Sequence, residues 1–186
     1  MATNVLTDTT VLTGRSMKHI TRSPDTIITT AIMPIAIMLL FVYVLGGSVT
    51  TGQPTVSGGY IDYVLPGILL MTIAMGITYT ALRLFTDLQS GIFDRFLSMP
   101  IARNSVLWAH VVTSLVANIV SVAVVIVVAL VMGFHTRTGV LGWLAVAGIL
   151  LLFTLALTWV AIIAALSAQS VEGASDFSYP LIFLPF

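Results

Sequence analysis

The sequence predicts an all-α polytopic membrane protein, and three observations carry that prediction. The 186 residues are 58% hydrophobic but only 8% charged, whereas a soluble domain uses about 25% charged residues to cover its surface. The charges are clustered, so that residues 26–61, 63–82, 104–136 and 138–171 contain no Asp, Glu, Lys or Arg. Those gaps are also long. A helix rises about 1.5 Å per residue, so roughly 20 apolar residues cross the hydrocarbon with every backbone hydrogen bond made internally. A soluble core would need a second, polar population of residues that this chain lacks. A transmembrane β-barrel would show alternating segments of about ten residues instead of continuous apolar runs.

The same composition removes several function classes. Net charge is zero, so there is no basic stripe of the kind that binds nucleic acid. Cysteine is absent, which removes disulfides, thiol catalysis and thiolate metal sites together. The chain has no G-x-x-x-x-G-K-[ST] loop and is not expected to hydrolyse ATP itself; it also lacks H-E-x-x-H and any Ser-His-Asp set. The polar first 22 residues carry no apolar core of a signal peptide.

Taken in order, residues 1–26 form a leader in which Arg15, Lys18 and Arg22 recur at three- and four-residue spacing. A helix would gather them on one side and lie at the membrane interface, and a solvated basic leader fits the pattern as well. The first span is expected over 27–45, with Pro34 as a candidate kink and Gly46-Gly47 as its end. An uncharged Gly/Ser/Thr loop leads to a second span over 64–85, starting near Pro66-Gly67. The third is expected over 106–132, closed by Gly133, and the fourth over 140–168. Both exceed the bilayer thickness, so tilt or interfacial extension is expected. A fifth is expected to open near Phe177 and run through 186, cut short within an apolar run. The expected transmembrane domain is thus 27–186, with at least four full spans.

Orientation follows from Lys and Arg in the short connections. Arg15, Lys18, Arg22, Arg83, Arg95 and Arg103 fall on one side, and the opposite connections hold only Arg137. The N-terminus and the 86–105 connection are therefore expected in the cytoplasm, in a multi-pass protein of the inner (cytoplasmic) membrane. Glu172 and Asp176 fall in the next cytoplasmic turn.

The 86–105 connection is too short and too charged to span. Laid on a helix, Leu88, Ile92, Phe96 and Met99 form one stripe, with Asp87, Asp94 and Ser98 facing away from it, and Pro100 stops the helix. Such a helix, tied to two spans, can transmit force from a partner that grips it. The pattern alone leaves a merely structural interfacial helix equally open.

The run Gly91-Ile92-Phe93-Asp94-Arg95-Phe96-Leu97-Ser98-Met99-Pro100-Ile101-Ala102-Arg103 resembles the cytoplasmic segment of the ABC-2 type permeases, particularly the daunorubicin-resistance (DrrB-like) branch of drug exporters. The polar leader before a span containing Pro34, and the stretch Ser178-Tyr179-Pro180 through Phe186, are similar to that family as well. Leu97 departs from it, since the family often has a basic residue there, and this weakens an electrostatic reading of the partner contact.

The resemblance implies a type V ABC exporter-like transmembrane domain of six spans, paired with itself or a similar permease subunit. A separate ATP-binding subunit, using ATP and Mg, would drive it, and this chain itself would hold no cofactor. By the same carry-over, Gly91, Phe93, Asp94, Arg95, Phe96, Pro100 and Arg103 are the expected ATPase-coupling residues. The implied activity is export of an amphipathic drug or lipid-like molecule, with antibiotic resistance as a consequence. A polysaccharide or lipo-oligosaccharide exporter of the same superfamily is an alternative, and a non-transporting membrane scaffold is another.

Within the spans, His110 and Asn118 are eight residues apart and about 80° from each other around a helix. They are candidates for a substrate path or for bonds to neighbouring helices. Arg83 and Asp87 are four apart and suit a pair at the membrane boundary, where Arg83 is also able to snorkel to the headgroups. Trp108, Trp143 and Trp159 suit interfacial or packing roles. Gly142 and Gly148 suit helix packing. His135 has no companions at metal-ligand spacing.

Overall fold

The structure, a computed structural model, describes residues 24–45, 60–91, 103–135 and 138–177, with the side chains of 24–31, 45 and 103–106 excepted. The expected basic leader through residue 23, the loop 46–59, the 92–102 run and the fifth span from 178 lie outside the described residues.

Every element among the described residues is helical. Helix α1 spans Pro24–Leu40 and continues as a π-helical turn over Phe41–Leu45; α2 spans Tyr60–Gln89, α3 Arg103–Val131, α4 Val140–Ser167 and α5 Val171–Asp176. Among the described residues three helices are long and apolar enough to cross a membrane: Tyr60–Gln89, Leu107–Val131 and Val140–Ser167. The first helix contributes a shorter apolar stretch, Ile32–Val44. Four full spans are therefore not what the described residues display; the first helix sets the difference.

Pro34 does not end α1. Its ring is buried, and α-helix continues to Leu40 before the change to the wider π pitch. Pro66 likewise lies inside α2, where it removes one backbone donor that would have bonded the carbonyl of Asp62.

Helix α2 is the central element, and α1, α3, α4 and α5 all pack on it. Its burial is correspondingly wide. Toward its start, Ile61, Val64, Leu65 and Ile68 pack with Met38 of α1 and Val125 and Ala129 of α3. Toward its end, Ile77, Ala81, Leu84 and Phe85 pack with Val111 of α3, Ala161 and Ile162 of α4, and Ala174 of α5. The beginning of α2 thus meets the ends of α1 and α3, so consecutive helices run antiparallel, as short connections require.

The outward surface is apolar. Val131, Val140 and Leu141 are each more than three-quarters exposed, which water would penalise and lipid does not. Helix α4 buries only one stripe, Thr154, Leu157, Thr158, Ala161, Ile162 and Ala165. That three- and four-residue spacing is a single helical face, in which Thr154, Thr158, Ala161 and Ala165 are small or hydroxyl residues that let backbones approach.

Two glycines end helices by adopting the left-handed region. Gly133 has φ 97°; its N–H donates to Leu130 O at 3.2 Å, and Phe134 N–H donates to Ala129 O at 3.0 Å. This is the paired bond pattern of a Schellman cap, with Phe134 folding back on the core beside Ala129. Gly91 has φ 68° after α2, where its N–H donates to Leu88 O at 3.4 Å. The expected continuous helix from Leu88 to Met99 is therefore corrected. Leu88 belongs to the long α2, which stops at Gln89, because the left-handed backbone at Gly91 cannot continue a right-handed helix. Helix α5 is capped at its start by Ser170 Oγ, which accepts from Gly173 N–H at 3.0 Å, and it carries the exposed Glu172 and Asp176.

Gly148 tests the packing expectation directly: a Cβ there would meet nothing within 4 Å, and one at Gly142 would meet only Thr138 of the same segment. Gly133→Ala should therefore lower the thermal midpoint of detergent-solubilised protein by the equivalent of about 1 kcal/mol. Gly148→Ala should leave the midpoint unchanged or raise it slightly, since alanine favours a helix interior by roughly 0.5–1 kcal/mol over glycine.

Candidate functional site

The α2–α3 interface carries a seam of polar contacts, at four-residue steps on α3 and at steps of seven and four residues on α2. On α3 the positions are His110, Ser114 and Asn118; opposite them on α2 lie Asp87, Thr80 and Gly76. Residues four apart on a helix lie on one face, and because the helices are antiparallel the numbers rise on one side as they fall on the other.

At the Gln89 end, His110 Nε2 lies 3.4 Å from Asp87 Oδ2, with the side chains 11% and 30% exposed. Asp87 thus faces across to α3 and pairs with His110, not with Arg83 one turn back on its own helix. The separation exceeds that of a formed hydrogen bond, so the contact is electrostatic and would tighten with a small approach.

In the middle, Thr80 Oγ1 and Ser114 Oγ are 2.8 Å apart, and Ser114 Oγ is 3.5 Å from Thr158 Oγ1 on α4. Counting protons sets the direction of these bonds. Thr80 hydroxyl donates to Gly76 O at 3.1 Å and Thr158 hydroxyl to Thr154 O at 2.7 Å. Each has then spent its one proton. Ser114 is left as donor to both and has a single proton as well. The shorter distance assigns it to Thr80, with Thr158 as the alternative acceptor.

Deepest in the seam, Asn118 is 2% exposed. Its Nδ2 donates to Ser114 O at 3.0 Å and lies 3.5 Å from Ser114 Oγ, which fixes the amide orientation. Its Oδ1 is buried with no N–H or O–H partner and sits where a Cβ on residue 76 would be. Only glycine lets the two helices approach this closely, and what faces the oxygen is the weak donor of a Cα–H group. Beside the seam, Trp108 and Trp159 meet edge to face, with ring centroids 5.6 Å apart and planes at 89°, joining α3 to α4.

The expected site residues fall as follows. Gly91 is the half-buried residue that ends the turn after α2. Phe93, Asp94, Arg95, Phe96 and Pro100 lie outside the described residues. Arg103 is the first residue of α3. His110 and Asn118 both lie in the α2–α3 seam, one at its Gln89 end and one at its deepest level. Gly76, Thr80, Ser114 and Thr158 went unmarked in the sequence, although a signal was there: Gly76/Thr80, Ser114/Asn118 and Thr154/Thr158 each place small or polar residues four apart in an apolar run. Among the described residues no group of His, Asp and Glu is arranged to hold a metal ion. His135, by contrast, bonds locally through Nδ1 to Gly133 O at 2.6 Å.

The profile of the ABC-2 type transporter family matches residues 7–186. The chain belongs to that family. It is a multi-pass membrane protein. It is similar to the daunorubicin resistance ABC transporter permease protein DrrB1 of Streptomyces coeruleorubidus, at 27% identity over 174 residues. That alignment covers 91% of this chain and 60% of the relative, so the chain spans less than two thirds of the length of the protein it matches. No solved structure matches the chain.

The α2–α3 seam ties together the two helices that flank the 92–102 run. Gly76→Ala should force the helices apart and cost about 1–3 kcal/mol, seen as a lower thermal midpoint. Asn118→Ala in the same chain should recover much of the loss by clearing the space. If the double variant is as unstable as the sum of the two single ones, the clash is not where the destabilisation arises.

Proposed function

We propose that this chain is permease material of an ABC exporter that moves an amphipathic drug or lipid-like molecule outward across the cytoplasmic membrane. The observation that carries the reading is the alignment with a daunorubicin resistance permease along 91% of the chain, within a family match over residues 7–186. The interior chemistry agrees with it. Among the described residues the fully buried polar side chains are hydroxyls and an amide, Thr72, Thr113, Ser114, Asn118, Ser121, Thr154 and Thr158, and these carry no charge to neutralise a small, highly charged cargo.

In this reading α1 crosses as a first span. From Pro24 through Leu45 it is about 33 Å long at the α-helical rise, enough for the hydrocarbon. The N-terminus and the Gln89 end of the bundle face the cytoplasm, by the excess of Lys and Arg in those connections. A separate ATP-binding subunit, using ATP and Mg, grips the 86–105 connection through Gly91, Phe93, Asp94, Arg95, Phe96, Pro100 and Arg103. A second permease subunit completes the path. ATP binding and hydrolysis then bias inward- and outward-facing states by differential contacts. His110 and Asn118 face the path only in a state where α2 and α3 have separated. In the packed state they are occupied by Asp87, Ser114 and Gly76.

Co-purification of the ATPase with the permease tests the coupling assignment. Asp94→Ala and Phe96→Ala should each weaken association by about tenfold or more, as loss of an interface anchor does, and should reduce coupled efflux in parallel. Full association and full efflux in both variants would sink the assignment. Drug accumulation and surface glycan, measured together in a deletion strain, separate the cargo classes. Raised drug retention with normal glycan is the expected result, and altered glycan with normal drug retention would favour the polysaccharide alternative.

A further inference from the structure

Two helices bound the 92–102 run: α2 delivers it at Gly91 and α3 receives it at Arg103. Asp87 lies about 6 Å along the chain axis before Gly91, and His110 about 10 Å after Arg103, at the helical rise. Their side chains meet at 3.4 Å. The contact therefore sits at the base of the excursion, between its departing and returning helices.

Charge and burial give it a role that packing alone would not. His110 is 11% exposed, at a depth where an ionisable side chain is costly unless a partner satisfies it. Histidine offers a donor at Nε2 both as imidazolium and as the Nε2–H tautomer, so Asp87 finds a donor in either form. One and two turns deeper along α3, Thr80–Ser114 and Gly76–Asn118 continue the same face. The helices thus meet at three successive levels, through the Asp87–His110 contact, the Thr80–Ser114 hydrogen bond and the close approach of Gly76 to Asn118, and the level that carries the aspartate is the one nearest the connection.

We propose that Asp87 and His110 are positioning residues of the coupling machinery. They clamp the two helices that carry the 92–102 run, so that force applied to the run moves α2 and α3 as one body instead of prising them apart. The inference rests on the exporter reading above for the source of that force, but the clamp itself does not.

Spin labels at Ser90→Cys and Trp108→Cys, both exposed positions in a cysteine-free chain, report the separation of the helix ends with no ATPase or cargo present. Asp87→Ala and His110→Ala should each widen and broaden the distance distribution. The exchange of Asp87→His with His110→Asp should restore it, which a mere folding defect would not do. Unchanged distributions in both single variants overturn the clamp, whatever the chain transports. The same substitutions in the unlabelled chain, reconstituted with its ATPase and with daunorubicin as the probe, test the coupling role. Each single variant should lower daunorubicin moved per ATP hydrolysed by about fivefold, the double alanine variant should be no worse than the lower single one, and the exchange should recover most of the loss. A ratio within about twofold of wild type in both single variants overturns the coupling role. A wild-type chain that binds no ATPase overturns the exporter reading and the coupling role with it, while the distance measurement still decides the clamp.

Discussion

A polar side chain inside an apolar bilayer must find its partner within the protein, and here that requirement converges on Ser114. Thr80 of α2 and Thr158 of α4 have each given their hydroxyl proton to the carbonyl one turn back, a bond that any buried threonine on a helix can make. What remains on each is an acceptor. Ser114, placed between them on α3, holds the one proton they compete for. Each such bond is worth only about 0.6 kcal/mol in a membrane, so the stability gain is modest. The geometric consequence is larger. Three apolar helices, otherwise free to rotate or slide against one another, have a preferred register because one oxygen must stay near two others.

That register is what allows Gly76 and Asn118 to meet. The missing Cβ at position 76 is useful only if the amide of residue 118 stands opposite it, and Asn118 is steered there by its own bonds to Ser114. Serine, glycine and asparagine thus depend on each other. The large apolar side chains around them, Ile77, Leu84 and Ile162 among them, fill volume without setting an angle.

Much of the architecture was legible from where charge is missing, because lipid excludes charge far more strongly than it selects among apolar residues. The charge-free stretches marked where α2, α3 and α4 lie. Their ends were less legible. Residues 86–89 carry Asp87 and read as part of a separate cytoplasmic helix, yet they complete α2, since nothing breaks the helix until Gly91 turns left-handed. A charge one turn beyond the apolar run ends the hydrocarbon contact but not the helix. Of the site, Asn118 and His110 could be picked out because polar residues are rare in such runs. Their partners could not. A glycine counts as packing only when something fills the space its Cβ would take; Gly148 looks the same as Gly76 in sequence but faces open space. Likewise Asp87 had two candidate partners, Arg83 at helical spacing and His110 more than twenty residues away, and only the antiparallel register of α2 and α3 decides for the second.

The distribution of directional and non-directional contacts along α2 suggests how such a bundle transmits movement. The aspartate–histidine contact and the hydroxyl junction lie toward the Gln89 end. Toward the other end α2 meets its neighbours through Met38, Ile68, Val125 and Ala129, whose dispersion contacts have no preferred direction and tolerate sliding into a new packing arrangement. Beside that half, α1 changes from α to π pitch, a local irregularity associated with functional sites. In the proposed exporter, force entering at the Gln89 end would meet helices held against one another and turn them together. By the time the motion reaches the far half it meets surfaces able to repack. A transporter that must open on one side of the membrane while staying closed on the other needs such an asymmetry, and in the proposed exporter a serine proton and an aspartate–histidine contact would create it.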